Sequence, residues 1–437
     1  MQQQRAAAPT KVCIVGAGSS GIAAAKTLHE RGIDFDCFER GSAIGGNWRY
    51  LNDNGLSAAY ASLHINTSKD KMAFSDYPMP SSYPDYPHHS QIVAYFESYV
   101  DHFGFRDKIR FKTTVEKIEK ADAEGHPGAW RVTLEGGESQ LYKAVLVANG
   151  HHWAKRLPSF PGHFEGQTLH AHDYKTFAGF EGKNVLIVGI GNSGVDIASE
   201  VCRVAAKTML STRRSAHILP KYAFGKPIDH FTSPMSSKVP MFVQQIFFKL
   251  VLGLTRGDQA KLGIPRPSHH LLQAHPTVSE ELPSLVGHGR VKMRPDIEKL
   301  DGDGVVFKDG SRDQVDVIIY CTGYYIRFPF LAPELVRTEN NQVRLYRHVV
   351  HPDHPNLYFI GLVQPLGAVM PLAEAQSVWI AEVLRGKAKL PSREKMEKAI
   401  DHDLTAMRKR YVTSDRHTIQ VDFYPYLHQV QREARRA

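Results

Sequence analysis

The stretch KVCIVGAGSSGIAAAKTLHERGIDFDCFER, Lys11 to Arg40, decides the fold. Lys11 to Val15 reads as a short apolar strand, GAGSSG at Gly16 to Gly21 as a turn, Ile22 to Arg31 as a helix, and Asp34 to Phe38 as a second strand ending on Glu39. Strand, glycine turn, helix, strand is one βαβ unit. In a GxGxxG turn the first glycine makes the bend, the second lets the backbone approach a pyrophosphate, and the third lets helix pack on strand. Gly16, Gly18 and Gly21 hold those places. The helix N-terminus offers unpaired N–H groups to phosphate, and an acidic residue after the second strand accepts from ribose hydroxyls. Glu39 stands there, so an unphosphorylated ribose, as in FAD or NAD, is expected at this turn.

The same order returns in mid-chain. Asn184 to Val188 reads as a strand, GIGNSG at Gly189 to Gly194 as the turn, Val195 to Ala205 as a helix, and Thr208 to Ser211 as a strand leading into Arg213 and Arg214. Gly189, Gly191 and Gly194 repeat the spacing, with Asn192 and Ser193 between them, but cations replace the acid. A guanidinium presents two parallel donors to phosphate oxygens, so Arg213 and Arg214 point to the 2′-phosphate of NADPH. The fold expected is α/β with two Rossmann-like dinucleotide-binding domains, an NADPH domain inserted in an FAD domain. Its boundaries are read as 1–160 for the first part of the FAD domain, 161–325 for the NADPH domain with an irregular insertion at about 221–295, and 326–437 for the completing part. Pro158, Pro161 and Gly162 mark the linker.

Elsewhere a helix is expected over Gln91–Phe103, strands over Ile109–Ile118, Trp130–Leu134, Ala144–Ala148, Val315–Tyr320 and Leu357–Gly361, and a helix over Leu372–Leu384. Hydrophobic residues at 42% and charged residues at 23% place the chain among ordinary globular proteins, which excludes disordered and fibrous classes. The net charge of +9 is dispersed rather than gathered in a run, and two phosphate-rich cofactors already use it, so no nucleic-acid partner is expected. Cys13, Cys37, Cys202 and Cys321 form no CxxC pair, which argues against a flavin disulfide reductase and for a reduced, cytoplasmic setting. The histidine pairs 88–89, 151–152 and 269–270 lack carboxylates at ligand spacing, so no metal is expected. Val239 to Leu254 is the most apolar stretch, but Gln244, Gln245 and Lys249 interrupt it and it falls short of the ~20 residues of a spanning helix. It is read as a buried or interfacial helix, with no integral membrane segment in the chain.

Several further motifs together resemble the class B flavin monooxygenases, and among them the flavin-containing monooxygenases of soluble bacterial type. ERGSAIGGNWRY, Glu39 to Tyr50, is similar to the family's second FAD-contact segment, with Gly45, Gly46 and Trp48 toward the flavin. NTSKDKMAFSDYPMP, Asn66 to Pro80, resembles the segment beneath the isoalloxazine. Phe164, Gly166, His170 and Tyr174 fit the fingerprint FxGxxxHxxxY, and Tyr320 to Tyr324 resemble an ATGY-type turn with Cys321 replacing alanine. The resemblance implies that NADPH reduces FAD, that a 4a-peroxyflavin forms with dioxygen, and that a small nucleophilic substrate is oxygenated at nitrogen or sulfur. It implies Asn66 as the active-site amide. The cofactor contacts expected with it are Ser20, Arg40, Gly46, Trp48, Thr67 and Gln364 for FAD and Tyr174, Thr322 and Gly323 for the second nucleotide. His170 and Trp379 are read as structural. The alternative is a Baeyer-Villiger monooxygenase that converts ketones to esters or lactones; Tyr174, where those enzymes carry tryptophan, favours the first reading. Homodimerisation is only a base-rate expectation.

Overall fold

The computed structural model describes residues 8–122, 125–412 and 418–436. In chain order, β1 (Val12–Val15), α1 (Ser19–Glu30) and β2 (Phe35–Phe38) open the chain. Then come α2 (His89–Phe103), β3 (Ile109–Arg110), an antiparallel meander of β4 (Val115–Lys120), β5 (Trp130–Leu134) and β6 (Ser139–Tyr142), and β7 (Ala144–Val147). The middle holds β8 (Gln167–His170), β9 (Asn184–Val188), α3 (Asn192–Val201), β10 (Lys207–Ser211), α4 (Met241–Thr255), β11 (Val291–Arg294) and β12 (Val317–Tyr320). β13 (Leu357–Phe359), β14 (Gln364–Leu366), α5 (Met370–Leu384), α6 (Arg393–Arg410), β15 (Gln420–Asp422) and α7 (Phe423–Ala434) complete it.

Two compact units result. The first takes the chain through Ala59, Leu63–Ala154 and the part from Tyr325 onward; the second takes Lys155–Tyr324 and the three residues Tyr60–Ser62. In the first, five parallel strands lie in the order β13-β7-β1-β2-β3, with Val12 opposite both Phe35 and Ala144. Every residue of β1 and β7 is buried, which is why both strands are continuous apolar runs rather than alternating ones. α1 covers one face through Ile22, Ala23, Ala24, Ala25 and Leu28, in one core with Trp379 and Ile380 of α5. The second unit repeats the plan as β8-β12-β9-β10-β11, again all parallel, with Val185 opposite Thr208 and Val317.

Three elements differ from expectation for local reasons. Ile109–Ile118 is not one strand: Lys112 has φ +49, a left-handed bend that sends Ile109–Arg110 into the parallel sheet and Val115–Lys120 into the meander. α2 begins two residues before the expected Gln91 because the His88 ring accepts from the Ser90 N–H while the Gln91 side chain accepts from the His88 N–H. α4 is not a buried helix. Only Phe248 and Val251 are buried, whereas Phe242, Ile246, Leu250 and Leu254, four residues apart, are 64%, 55%, 62% and 78% exposed. Among the described residues no helix is long and apolar enough to cross a membrane.

Candidate functional site

Each unit carries one nucleotide seat, built in the same way. After β1 the backbone turns at Gly16, whose φ of +100 suits only glycine, and a Cβ there would lie 2.8 Å from the Ala148 carbonyl oxygen at the end of β7. A Cβ on Gly21 would lie 1.8 Å from the Gly16 carbonyl oxygen, so α1 can start where it does only with glycine at that position. In the second unit Gly189 has φ +115 and packs on the Cys321 carbonyl, and Gly194 packs on Gly189. Ala148 and Cys321 are thus counterparts, each ending the strand beside its glycine turn, and small side chains are what both places require.

Both helices open on bare N-termini. Gly18 caps α1 and Gly191 caps α3; neither helix has a side-chain cap or an acidic residue in its first turn. Their first N–H groups and the positive end of the helix dipole are therefore available to an anion. Gly46 approaches the first turn so closely that its Cβ would stand 3.0 Å from the Gly18 Cα, so backbone meets backbone there. Gly46 is held by the Asn52 amide, which donates to its carbonyl at 3.0 Å, and Trp48 of the same turn packs half-buried on the main core.

Glu39 is 4% exposed and anchored by N–H donors from Ala17 (2.8 Å) and Gly41 (2.7 Å) and by the Asn54 amide (3.2 Å). A carboxylate offers about four lone-pair positions. Three are taken, so one remains for a ribose hydroxyl and a second hydroxyl must displace or share a donor. Arg40, the next residue, is exposed. Ser20 lies in the first turn of α1 with its Oγ 1.9 Å from where a Cβ on Gly361 would be. Asn66 and Thr67 are half-buried in the loop before the one-turn helix Lys69–Met72. Neither side chain has a hydrogen-bond partner among the described residues, nor has the half-buried carboxamide of Gln364 on β14. The open end of α1, Gly46 close against Gly18, and a buried acid beside Ala17 with one acceptor position left fit a flavin dinucleotide.

In the second seat Arg213 and Arg214 follow β10 and are exposed, and Arg213 has no carboxylate partner among the described residues. Asn192 accepts from the Val278 N–H at 2.8 Å, tying the turn to the segment beyond α4, and Ser193 is half-buried beside it. Tyr174 lies against α3. It is 1% exposed and its hydroxyl donates to Glu200 at 2.7 Å, in the last turn of α3 rather than at the nucleotide end. Burial pushes its phenol well up. It anchors the last turn of α3. Thr322 donates to the Arg156 carbonyl, and the Gly323 carbonyl receives the Arg156 N–H (3.0 Å) and pairs with the His170 ring (3.1 Å). His170 is buried, which pushes it down to about 4 and keeps it neutral.

Residues 9–435 match the model of the family described as flavin-binding monooxygenase-like. The chain belongs to that family. Among curated relatives, this flavin-binding monooxygenase is 40% identical to flavin-containing monooxygenase 5 of Oryctolagus cuniculus, over 96% of its own length and 82% of the relative's. It is 36% identical to dimethylaniline monooxygenase [N-oxide-forming] 2 of Rattus norvegicus, over 90% and 78%. Among solved structures it superposes on S-allyl-L-cysteine S-oxygenase from Allium sativum with a TM-score of 0.74 and 25% identity, covering 98% of this chain and 89% of that one.

Sequence reading missed Asn52, Asn54 and Gly361. The Asn54-Gly55 pair signalled a turn but not that its amide would reach Glu39. Gly361, two residues after β13, carried the same strand-then-glycine signature as the two known turns.

Proposed function

We propose that the chain is an NADPH- and dioxygen-dependent monooxygenase that places one oxygen atom on soft nucleophilic nitrogen or sulfur centres of small molecules. The observation that carries this is a pair of glycine turns with opposite partners, a buried carboxylate after the first and exposed guanidinium groups after the second. FAD belongs in the seat of Gly16, Gly18, Gly21, Ser20, Glu39, Arg40, Gly46, Trp48, Thr67 and Gln364, and supplies hydride acceptance and dioxygen activation when bound. NADPH belongs at Gly189, Gly191, Asn192, Ser193 and Gly194, with Arg213 and Arg214 on its 2′-phosphate. The protein's task is then to bind, orient and exclude water. The Asn66 amide, without a partner among the described residues, would donate N–H to negative charge developing on the transferred oxygen. The printed names of two relatives, an N-oxide-forming enzyme and an S-oxygenase, support nitrogen and sulfur as the acceptors. Four buried free cysteines suit a reduced cytoplasmic setting.

The test supplies N,N-dimethylaniline, S-allyl-L-cysteine and cyclohexanone separately, and follows NADPH consumption together with product. N-oxide or S-oxide is expected. Lactone from the ketone, with neither oxide formed, would replace the reading with Baeyer-Villiger oxygenation.

A further inference from the structure

The first unit contains a cavity of about 500 Å³ between α6, α7, β15 and the segment 343–348. None of the residues assigned to the flavin lines it, and its volume is that of a small-molecule site. Leu345, Ile400, Leu404 and Val421 make an apolar floor. The rest of the wall is charged. Arg347 pairs with Asp403 at 2.6 Å, and Arg410 with Asp422 at 2.9 Å. Arg347 also lies 3.5 Å from the buried Glu433, whereas Arg432, exposed on α7, has no carboxylate partner among the described residues and is the lining guanidinium left open to an anion. Burial pushes the lining His348 down to about 4, which adds no charge at neutral pH.

Two further observations mark this wall as more than a packing fault. Gln420 is 2% exposed, yet neither its amide nitrogen nor its oxygen has a hydrogen-bond partner among the described residues. An unsatisfied buried amide is unfavourable unless something in the working protein answers it. Arg347 and His348 are consecutive non-glycine residues in the left-handed region, at φ +53 and +57, a conformation that persists only where surrounding structure enforces it.

The cavity wall also connects to the flavin seat by two short routes inside the same unit. Gln420 is the register partner of Gln364 across β15 and β14. Tyr426, on the wall, donates to the Arg347 carbonyl and receives the Gln376 amide, both at 2.6 Å; Gln376 in turn accepts from the Gly361 N–H at 2.8 Å, and Gly361 lies against Ser20.

We propose that this cavity binds a small amphiphilic carboxylate, with its apolar body on the floor and its anionic head at Arg432, and that binding is felt at the flavin through Gln364 and Ser20. The site is separate from the oxygenation reading. Its binding test does not depend on turnover.

Octanoate is titrated into the flavin-loaded protein and followed by calorimetry and by the visible flavin absorbance, with octanol as the uncharged control. One saturable site is expected, with a change in the flavin bands along the same isotherm. Octanol should bind about tenfold more weakly, from the loss of one charge-assisted contact. Arg432→Gln should weaken octanoate by a similar factor. Ala406→Trp, an exposed lining residue whose enlargement crowds the mouth, should abolish binding. Both variants should keep wild-type melting temperature and flavin content, since both positions are exposed. Absence of saturable binding would overturn the proposal, as would an isotherm that neither substitution alters, which would put octanoate elsewhere. Binding by calorimetry with no change in the flavin bands would overturn the coupling.

Discussion

At the scale of single residues, the two seats make different demands on glycine. Gly18 has an ordinary φ of −77, and a Cβ there would meet Gly46 at 3.6 Å, normal contact. Gly18→Val therefore should fold and yet put its methyl groups where the pyrophosphate would lie. Protein with wild-type secondary structure but no yellow colour is expected; retained flavin would unseat the first turn as its site. Asn66→Ala removes the free amide and nothing that holds the fold, so flavin reduction by NADPH should stay near normal while oxygenated product falls about a hundredfold and peroxide release rises. Unchanged coupling of NADPH to product would remove Asn66 from the chemistry. Replacing Arg213 and Arg214 with glutamine should raise the KM for NADPH roughly tenfold or more while leaving that for NADH alone. Equal effects on both coenzymes would show that the guanidinium groups do not meet a 2′-phosphate.

Among elements, α4 separates apolar sequence from burial. Phe248 packs with Leu219, Ile228, Leu271 and Val278, whereas Leu250, two residues on, faces outward. Phe248→Ala should cost about 3–5 kcal/mol and Leu250→Ala under about 0.5 kcal/mol, measured by denaturant unfolding. Equal costs would mean that the exposed face is covered in solution. The helix was legible from its composition, but its buried face was not: apolar residues occur all round it, so periodicity alone gives no direction. Ile109–Ile118 is similar: its apolar residues are compatible with one strand, and the left-handed bend at Lys112 falls on a residue type that does not announce it.

Across the whole molecule, charge balance responds to acid. Burial holds His170, His348 and His351 down to about 4, from an ordinary value of 6.5. Between those values the unfolded chain takes up protons that the folded one refuses, so each histidine removes up to roughly 1.4 kcal/mol of stability per pH unit as pH falls from 6.5 toward 4. Asp196 opposes them. Burial raises its carboxyl to about 6 despite the Tyr60 hydroxyl at 2.6 Å, and it gains stability for the fold as pH falls through that value. Burial pushes His151, His217, His269 and His354 down as well and raises Glu374 like Asp196; the depressed histidines outnumber the raised carboxyls, so the melting temperature should drop between pH 7 and pH 5, and a flat profile would show that these rings are hydrated. The sequence by itself determined the paired α/β plan, because glycine spacing, strand hydrophobicity and the residue after each second strand are local properties that survive any packing. Only tertiary structure decided which candidates face an open helix end and which stand behind it. Tyr174 and Asn66 are alike in sequence as polar residues in loops, but the Tyr174 hydroxyl meets Glu200 across 26 residues and the Asn66 amide meets no partner among the described residues. Such pairings depend on which distant segment fills the space beside a side chain, and that is fixed only when the chain has closed on itself.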